Sequence, residues 1–166
     1  MAANEKKGHD VTAISVTAGK DLEGIPAPAL LRLKEPVLHA IGIPRLRQLR
    51  QKGYEILFDA SEAKNVRFFA EKNVFDFIMN AELHEQKDYT YQPNSGLDEV
   101  IIALMAKHDI CYVVDEVLFK QSINRKPQLF SRFHQNFQLC KKTGVRMYVL
   151  NEDVLSPSPD FFASFL

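Results

Sequence analysis

The sequence predicts an α/β fold built on a mostly parallel sheet. Three observations lead there. Short apolar, β-branched segments recur along the chain, with helical stretches between them, roughly every twenty to thirty residues. The length of 166 residues fits one domain with an ordinary core. Apolar content of 46% and charged content of 25% are those of a soluble globular protein. Alternation of strand and helix is met by a doubly wound open sheet or by a (β/α) barrel. A full eight-stranded barrel takes ~250 residues, with ~200 as a lower bound. About six strands are countable, so a barrel here is partial or completed by something else. The pattern alone does not choose.

The elements follow in order. Residues 1–10 are polar, lack an apolar signal core and read as a disordered N-terminus. A single domain spans 11–166. Residues 11–17 are strand-like. Gly24-Ile25-Pro26 breaks the chain, 28–34 form a short helix, and 36–41 read as the second strand. Pro44 suits the first turn of a helix with Leu46 and Leu49 inward and Arg45, Arg47 and Arg50 on a basic face; Gly53 stops it. Residues 54–59 are the third strand. Ser61 is placed to cap the next helix, which carries Val66, Phe69 and Ala70. Residues 75–79 are the fourth strand, and a polar loop runs over 81–95. Loops of that length are functional or disordered. Residues 97–108 form a helix with Asp98 and Glu99 in its first turn, where negative charge suits the helix dipole. Residues 110–114 are the fifth strand. Residues 128–142 form a helix with Leu129, Phe133, Phe137 and Cys140 on one stripe, and 145–150 are the sixth strand. Residues 156–159 are a stiff connector into a final helical start.

Charge and motif content narrow the chemistry. Lysine plus arginine equals aspartate plus glutamate, 21 each, which counts against a domain that is basic overall but not against a local basic face. Cys111 and Cys140 sit far apart inside apolar patterns and read as two buried thiols of a reducing, cytoplasmic compartment. No apolar run approaches the ~20 residues that span a bilayer. There is no glycine-rich phosphate loop and no nucleophile elbow, and the five histidines form no His-x-His or His-x-x-x-His pair. Asp59 and Asp115 close strands, so they suit either a divalent ion at one barrel rim or helix caps. The cations offer more. Arg45, Arg47, Arg50 and Lys52 cluster on one short helix. Lys64 and Arg67 share a side of the next, and Lys120, Arg125, Lys126 and Arg132 lie in and after the loop beyond the fifth strand. Such groups hold phosphates through charge and hydrogen bonds. Lys87, Tyr89 and Tyr91 in the 81–95 loop suit stacking on unpaired bases or packing of the loop itself.

Three stretches carry a family resemblance. The first is residues 54–59 followed by 64–72, with Arg67 one turn inside its helix. The second is residues 75–78, a loop, then Gly96-Leu97-Asp98-Glu99-Val100, where Gly96 makes the turn. The third is the 132–142 helix, with Asn136 one turn after Arg132 and Leu139-Cys140-Lys141-Lys142 at its end. Together they resemble the thirty-kilodalton protein subunit family of ribonuclease P (archaeal protein component three), with this chain short at both ends. The resemblance covers roughly residues 11–166. It implies a partial TIM-like (β/α) barrel with about six parallel strands, related to the polymerase-and-histidinol-phosphatase-type barrel but without its metal ligands. It implies a non-catalytic, RNA-associated subunit that supports the catalytic RNA in removing the 5′ leader of precursor tRNA. The implied partners are ribonuclease P RNA, a small partner protein subunit and, indirectly, precursor tRNA, with no membrane. No cofactor is implied for the polypeptide; magnesium serves the RNA. Expected RNA contacts are Lys64, Arg67, Lys120, Arg125, Lys126 and Arg132, with Gly96, Asp98 and Asn136 holding local geometry. The chain departs from the family at Asn151-Glu152-Asp153-Val154, an acidic exit from the sixth strand where the family is serine-rich. Two alternatives are a metal-dependent phosphoesterase using Asp59 and Asp115, and an interaction module whose open barrel edge a partner covers.

Overall fold

The computed structural model describes residues 11–84, 87–88 and 90–164; the expectations for 1–10 and for Tyr89 lie outside them. Seven strands close into a barrel in sequence order. β1 (Val11–Val16), β2 (Leu30–Lys34), β3 (Glu55–Asp59), β4 (Phe77–Met79), β5 (Cys111–Asp115) and β6 (Met147–Asn151) are parallel neighbours. β7 (Val154–Ser156) runs antiparallel to both β6 and β1 and fills the gap between them.

The acidic segment after β6 makes this closure. Asn151 pairs with Val154 across a two-residue turn. Glu152 and Asp153 sit at φ +47° and +66°. Two consecutive residues at positive φ are what a primed hairpin turn requires, and its twist matches the flanking strands. The Asp153 carbonyl then accepts a bond from the Ala13 amide at 2.6 Å. The expected open edge is therefore absent: a reversed strand takes up the amides and carbonyls that β1 and β6 would otherwise expose.

The helices are α1 (Glu35–Ile41), α2 (Ile43–Gln51), α3 (Val66–Lys72), α4 (Glu99–His108), α5 (Glu116–Arg125), α6 (Pro127–Thr143) and α7 (Pro159–Ala163). Two expectations are exchanged. Residues 28–34, expected as helix, contain β2, and 36–41, expected as strand, belong to α1. Leu30, Leu31 and Leu33 are all buried because β2 is covered on both faces, so no alternation marks it as a strand. Pro36 lies in the first turn of α1, where its missing N–H costs nothing. Ser61 caps no helix; Asn65 precedes α3 instead. Ser156, expected in a connector, ends β7.

The core has two layers. Ala13, Leu30, Leu57, Phe77, Met79, Cys111, Val113, Leu150 and Leu155 form a cluster made of strand residues only. The neighbouring positions Leu31, Leu33, Ile56, Phe58, Ile78, Tyr112 and Val114 cluster with buried residues of the helices. The first set fills the lumen and the second packs under the helix ring, as strand alternation demands. Phe133 and Phe137 on α6 stack around Phe119 of α5, and Phe161 and Phe162 of α7 close that aromatic group. Both cysteines are buried. Among the described residues no helix is long and apolar enough to cross a membrane.

Candidate functional site

The six parallel strands direct their carboxyl ends to one rim, where barrels of this kind carry function. At the mouth, Arg32 ends near Asp59 and Asn80. Arg32 Nε and Nη2 both donate to Asp59 Oδ2, at 3.0 and 2.6 Å. Asn80 Nδ2 and the Ser61 amide donate to Asp59 Oδ1, at 3.1 and 3.2 Å. Arg32 Nη1 lies 3.7 Å from Asp153 of the closing hairpin. Asp59 is 3% exposed. Burial pushes its carboxyl up, but the bonds from Arg32 and Asn80 outweigh that and hold it below the usual carboxylate range. The Asp115 side chain accepts from the Leu118 amide at 2.9 Å and caps α5. The two carboxylates considered for a divalent ion thus have different work: one faces a guanidinium, the other caps a helix. Among the described residues no group of three His, Cys, Asp or Glu is arranged to hold a metal.

The long loop after β4 is ordered by a latch from α6. Arg132, with its side chain only 14% exposed, donates to Asp88 Oδ1 at 2.8 Å and to the carbonyls of Glu82 and His84 at 2.9 and 3.3 Å. Asp88 also accepts from the Asn94 amide (2.8 Å), and His84 Nε2 donates to the Asn94 carbonyl (2.5 Å). Bonds from Asn94 and Arg132 draw the Asp88 carboxyl down against a smaller opposing effect of burial. The loop is thereby tied at both flanks. It re-enters regular structure through Gly96 at φ +79°, where a Cβ would stand 2.0 Å from the Ala81 carbonyl oxygen. No side chain fits there. Asp98 then caps α4 by accepting from the Ile101 amide at 2.7 Å.

Beneath the loop lies a buried polar cluster. Glu82 is fully buried, and its Oε1 accepts from the Tyr112 hydroxyl and from Asn136 Nδ2, the latter at 2.7 Å. Asn136 also donates to the Ser95 carbonyl at 3.2 Å. Glu82 Oε2, Asn136 Oδ1 and Gln135 Oε1 are buried with no hydrogen-bond partner among the described residues. Burial pushes the Glu82 carboxyl up to about 7, against the opposing bond from Asn136 and the charge of Arg132.

A groove of about 1360 Å³ opens beside this cluster. Lys64, Arg67, Asn94 and Asp98 line it, together with Gln135 and Leu139 of α6. Its charge is mixed, since Glu62 and Glu99 also border it. Arg67 pairs with Glu71 at 2.8 Å, both partly in solvent. In the same loop Lys87 is exposed and Tyr91, next to the groove-lining Gln92, is 97% exposed, so Tyr91 does not pack its own loop.

The expected phosphate contacts therefore fall into separate places. Lys64 and Arg67 meet at the groove. Lys120, paired with Glu116, lies on α5 with Arg125, and exposed Lys126 joins α5 to α6. Arg132 turns inward to the latch. Arg47 and Arg50, from the basic face of α2, donate to Lys72 and Asn73 carbonyls and, for Arg50, to Asp76 at 2.8 Å, all at the opposite rim. Gly96 and Asp98, read together as a turn and helix start, are joined at this loop-to-helix junction by the distant Asn136, through its bond to the Ser95 carbonyl. Sequence reasoning did not single out Arg32 or Glu82. The signal was present at Arg32, a charge inside the apolar run Leu30-Leu31-Arg32-Leu33.

No family model matches the sequence, and no curated protein matches it. Solved structures do share its architecture. A chain in the cryo-EM structure of archaeal ribonuclease P with mature tRNA matches 73% of this chain at a TM-score of 0.55 and 21% identity, over 49% of its own length. The crystal structure of an uncharacterised protein matches 89% of this chain at a TM-score of 0.50 and 12% identity, over 41% of its own length. The chain thus spans less than half the length of either of these two chains. What it shares with a chain of the archaeal ribonuclease P assembly is the fold, an α/β barrel.

Proposed function

We propose that this chain is a non-catalytic protein component of ribonuclease P that supports the catalytic RNA in removing the 5′ leader of precursor tRNA. The observation that carries the reading is the barrel shared with a chain of archaeal ribonuclease P over 73% of this sequence. The mouth is consistent with a scaffold. The place where a barrel enzyme sets its catalytic groups is taken by the Arg32–Asp59–Asn80 cluster, whose carboxylate is already saturated with donors. On this reading Lys64, Arg67, Lys120, Arg125 and Lys126 meet phosphates, and Arg132 acts indirectly by holding the 81–98 loop. Magnesium is used by the RNA, a small partner subunit docks beside this one, and precursor tRNA is contacted through the assembly.

The test is binding of the full chain to ribonuclease P RNA across a salt series, with and without the small partner subunit, alongside precursor cleavage. Five phosphate contacts give a log–log salt slope of roughly −3 to −5. Salt-steep binding and a gain in cleavage are the expected results. Absence of both would overturn the proposal.

A further inference from the structure

We infer that Tyr91 is a stacking platform for an unpaired nucleobase, with the adjoining groove accepting the rest of that nucleotide and its neighbour. The inference rests on the reading of the chain as an RNA-associated component and narrows it to one surface and one class of ligand.

Tyr91 has 97% of its surface in water, more than any other exposed large apolar side chain among the described residues. An aromatic ring left in solvent forgoes the stabilisation that burying its 150–250 Å² would bring. A floppy loop would explain such a ring trivially, but this loop is held. Arg132, Asp88, His84 and Asn94 tie its two flanks together. Tyr91 thus stands between two flanks that are bonded to each other and to α6.

The surroundings match a nucleotide in parts. Gln92, Pro93 and Asn94, directly after Tyr91, line the groove, so a base on the ring continues into it. Lys64 and Arg67 in the groove wall and the exposed Lys87 of the same loop supply cations for one or two phosphates. Gln135 of α6 lines the same groove.

Charge then limits the length of strand. Asp98 and Glu99 at the start of α4 and Glu62 opposite would repel a long phosphate track. A short, unpaired stretch is what remains: stacking supplies most of the affinity, and phosphate contacts are few. A duplex does not fit, because its bases present no free face.

The test uses a fluorescein-labelled single-stranded RNA hexamer, a duplex of the same length and ribonuclease P RNA, each against the full chain over a salt series. The variants are Tyr91→Ala and Tyr91→Phe. Tyr91→Ala should weaken hexamer binding by roughly 5- to 150-fold, the range for loss of one stacked base. The salt slope should not change, because no phosphate contact is removed. Tyr91→Phe, which keeps the ring, should bind as the wild type does. Both variants should unfold at the wild-type temperature.

Equal binding by Tyr91→Ala, or a duplex bound as tightly as the single strand, would overturn the inference. Loss of the small partner subunit rather than of the hexamer would do the same and assign the ring to a protein contact. Ribonuclease P RNA separates this inference from the broader reading. If that RNA binds normally to Tyr91→Ala, the stacking site fails and the scaffold reading stands. If the hexamer binds through Tyr91 while ribonuclease P RNA does not bind, the site stands and the scaffold reading fails.

Discussion

Burial raises the Glu82 carboxyl, so the stability of this protein should fall as the pH rises through neutrality. Its folded value is about 7 against an ordinary 4.5, and burial is the main cause. The sign follows from linkage. A folded value raised above the unfolded one gives a contribution fully present below pH 4.5, declining up to about pH 7 and lost above it. At ~1.4 kcal/mol per pH unit, that interval is worth about 3 kcal/mol. The groups facing Glu82 are the Tyr112 hydroxyl from β5, the Arg132 guanidinium and Cys140 thiol from α6, and Asn136. Burial raises the Cys140 thiol well above its usual range, so it stays neutral.

Other carboxyls titrate in the opposite direction. Asp59, Glu35 and Asp88 are held low in the folded state and cost stability only as the solution becomes acid. A difference measurement removes them. Glu82→Gln keeps an oxygen to accept from Tyr112 and Asn136 but cannot ionise. Urea denaturation of wild type and variant between pH 5 and pH 8 should show Glu82→Gln gaining roughly 2–3 kcal/mol on the wild type across the range. In melting temperature that is roughly 4–12 °C, at ~2–4 °C per kcal/mol for a chain of this size. Parallel pH profiles for the two proteins would refute the reasoning and mean that water or a rearranged partner solvates the carboxylate.

Three further outcomes follow from the geometry. Arg132→Ala should lower stability by ~1–3 kcal/mol, because Asp88 and two carbonyls lose their donor; thermal unfolding reads this, and an unchanged RNA salt slope would confirm that Arg132 meets no phosphate. Gly96→Ala adds a Cβ 2.0 Å from a backbone oxygen at a positive φ, so roughly 2–5 kcal/mol should be lost and the 81–98 loop should gain hydrogen-exchange rate; native-like stability would contradict the packing. Arg32→Met strands a buried Asp59 and should cost roughly 2–4 kcal/mol near neutral pH, somewhat under a fully buried pair because Arg32 is partly exposed. Pairing it with Asp59→Asn should restore part of the loss, and a denaturation cycle with no recovery would show that the two side chains do not interact.

Local chemistry made much of this barrel readable. The alternation of apolar strands and amphipathic helices announced a parallel sheet, because strand and helix periods are properties of neighbouring residues. The Leu129–Phe133–Phe137–Cys140 stripe is the buried face of α6, and Gly144 ends it in a left-handed conformation. Gly96 and Asp98 were legible as turn and first-turn acid for the same reason: each acts on backbone groups a few positions away. Exchange of strand and helix over 28–41 shows where this stops. A strand covered on both faces and a short helix with apolar residues around much of it look alike as sequence.

What the sequence by itself determined was the fold class, the order of most elements and the stripes that face the core. Tertiary structure alone decided how the barrel closes, which charges are free and which are held. Glu152 and Asp153 read as an acidic exit, yet they turn the chain back so that β7 seals β1 to β6. Arg132 looked like a phosphate ligand, and only folding brings Asp88, 44 residues away, against it. Burial raises the Glu82 carboxyl against the opposing bond from Asn136, 54 residues distant, and Tyr112, 30 residues away, bonds the same oxygen. Propensity and periodicity are local free energies, but desolvation and charge pairing depend on which distant residues arrive, and that is known only once the chain has closed on itself.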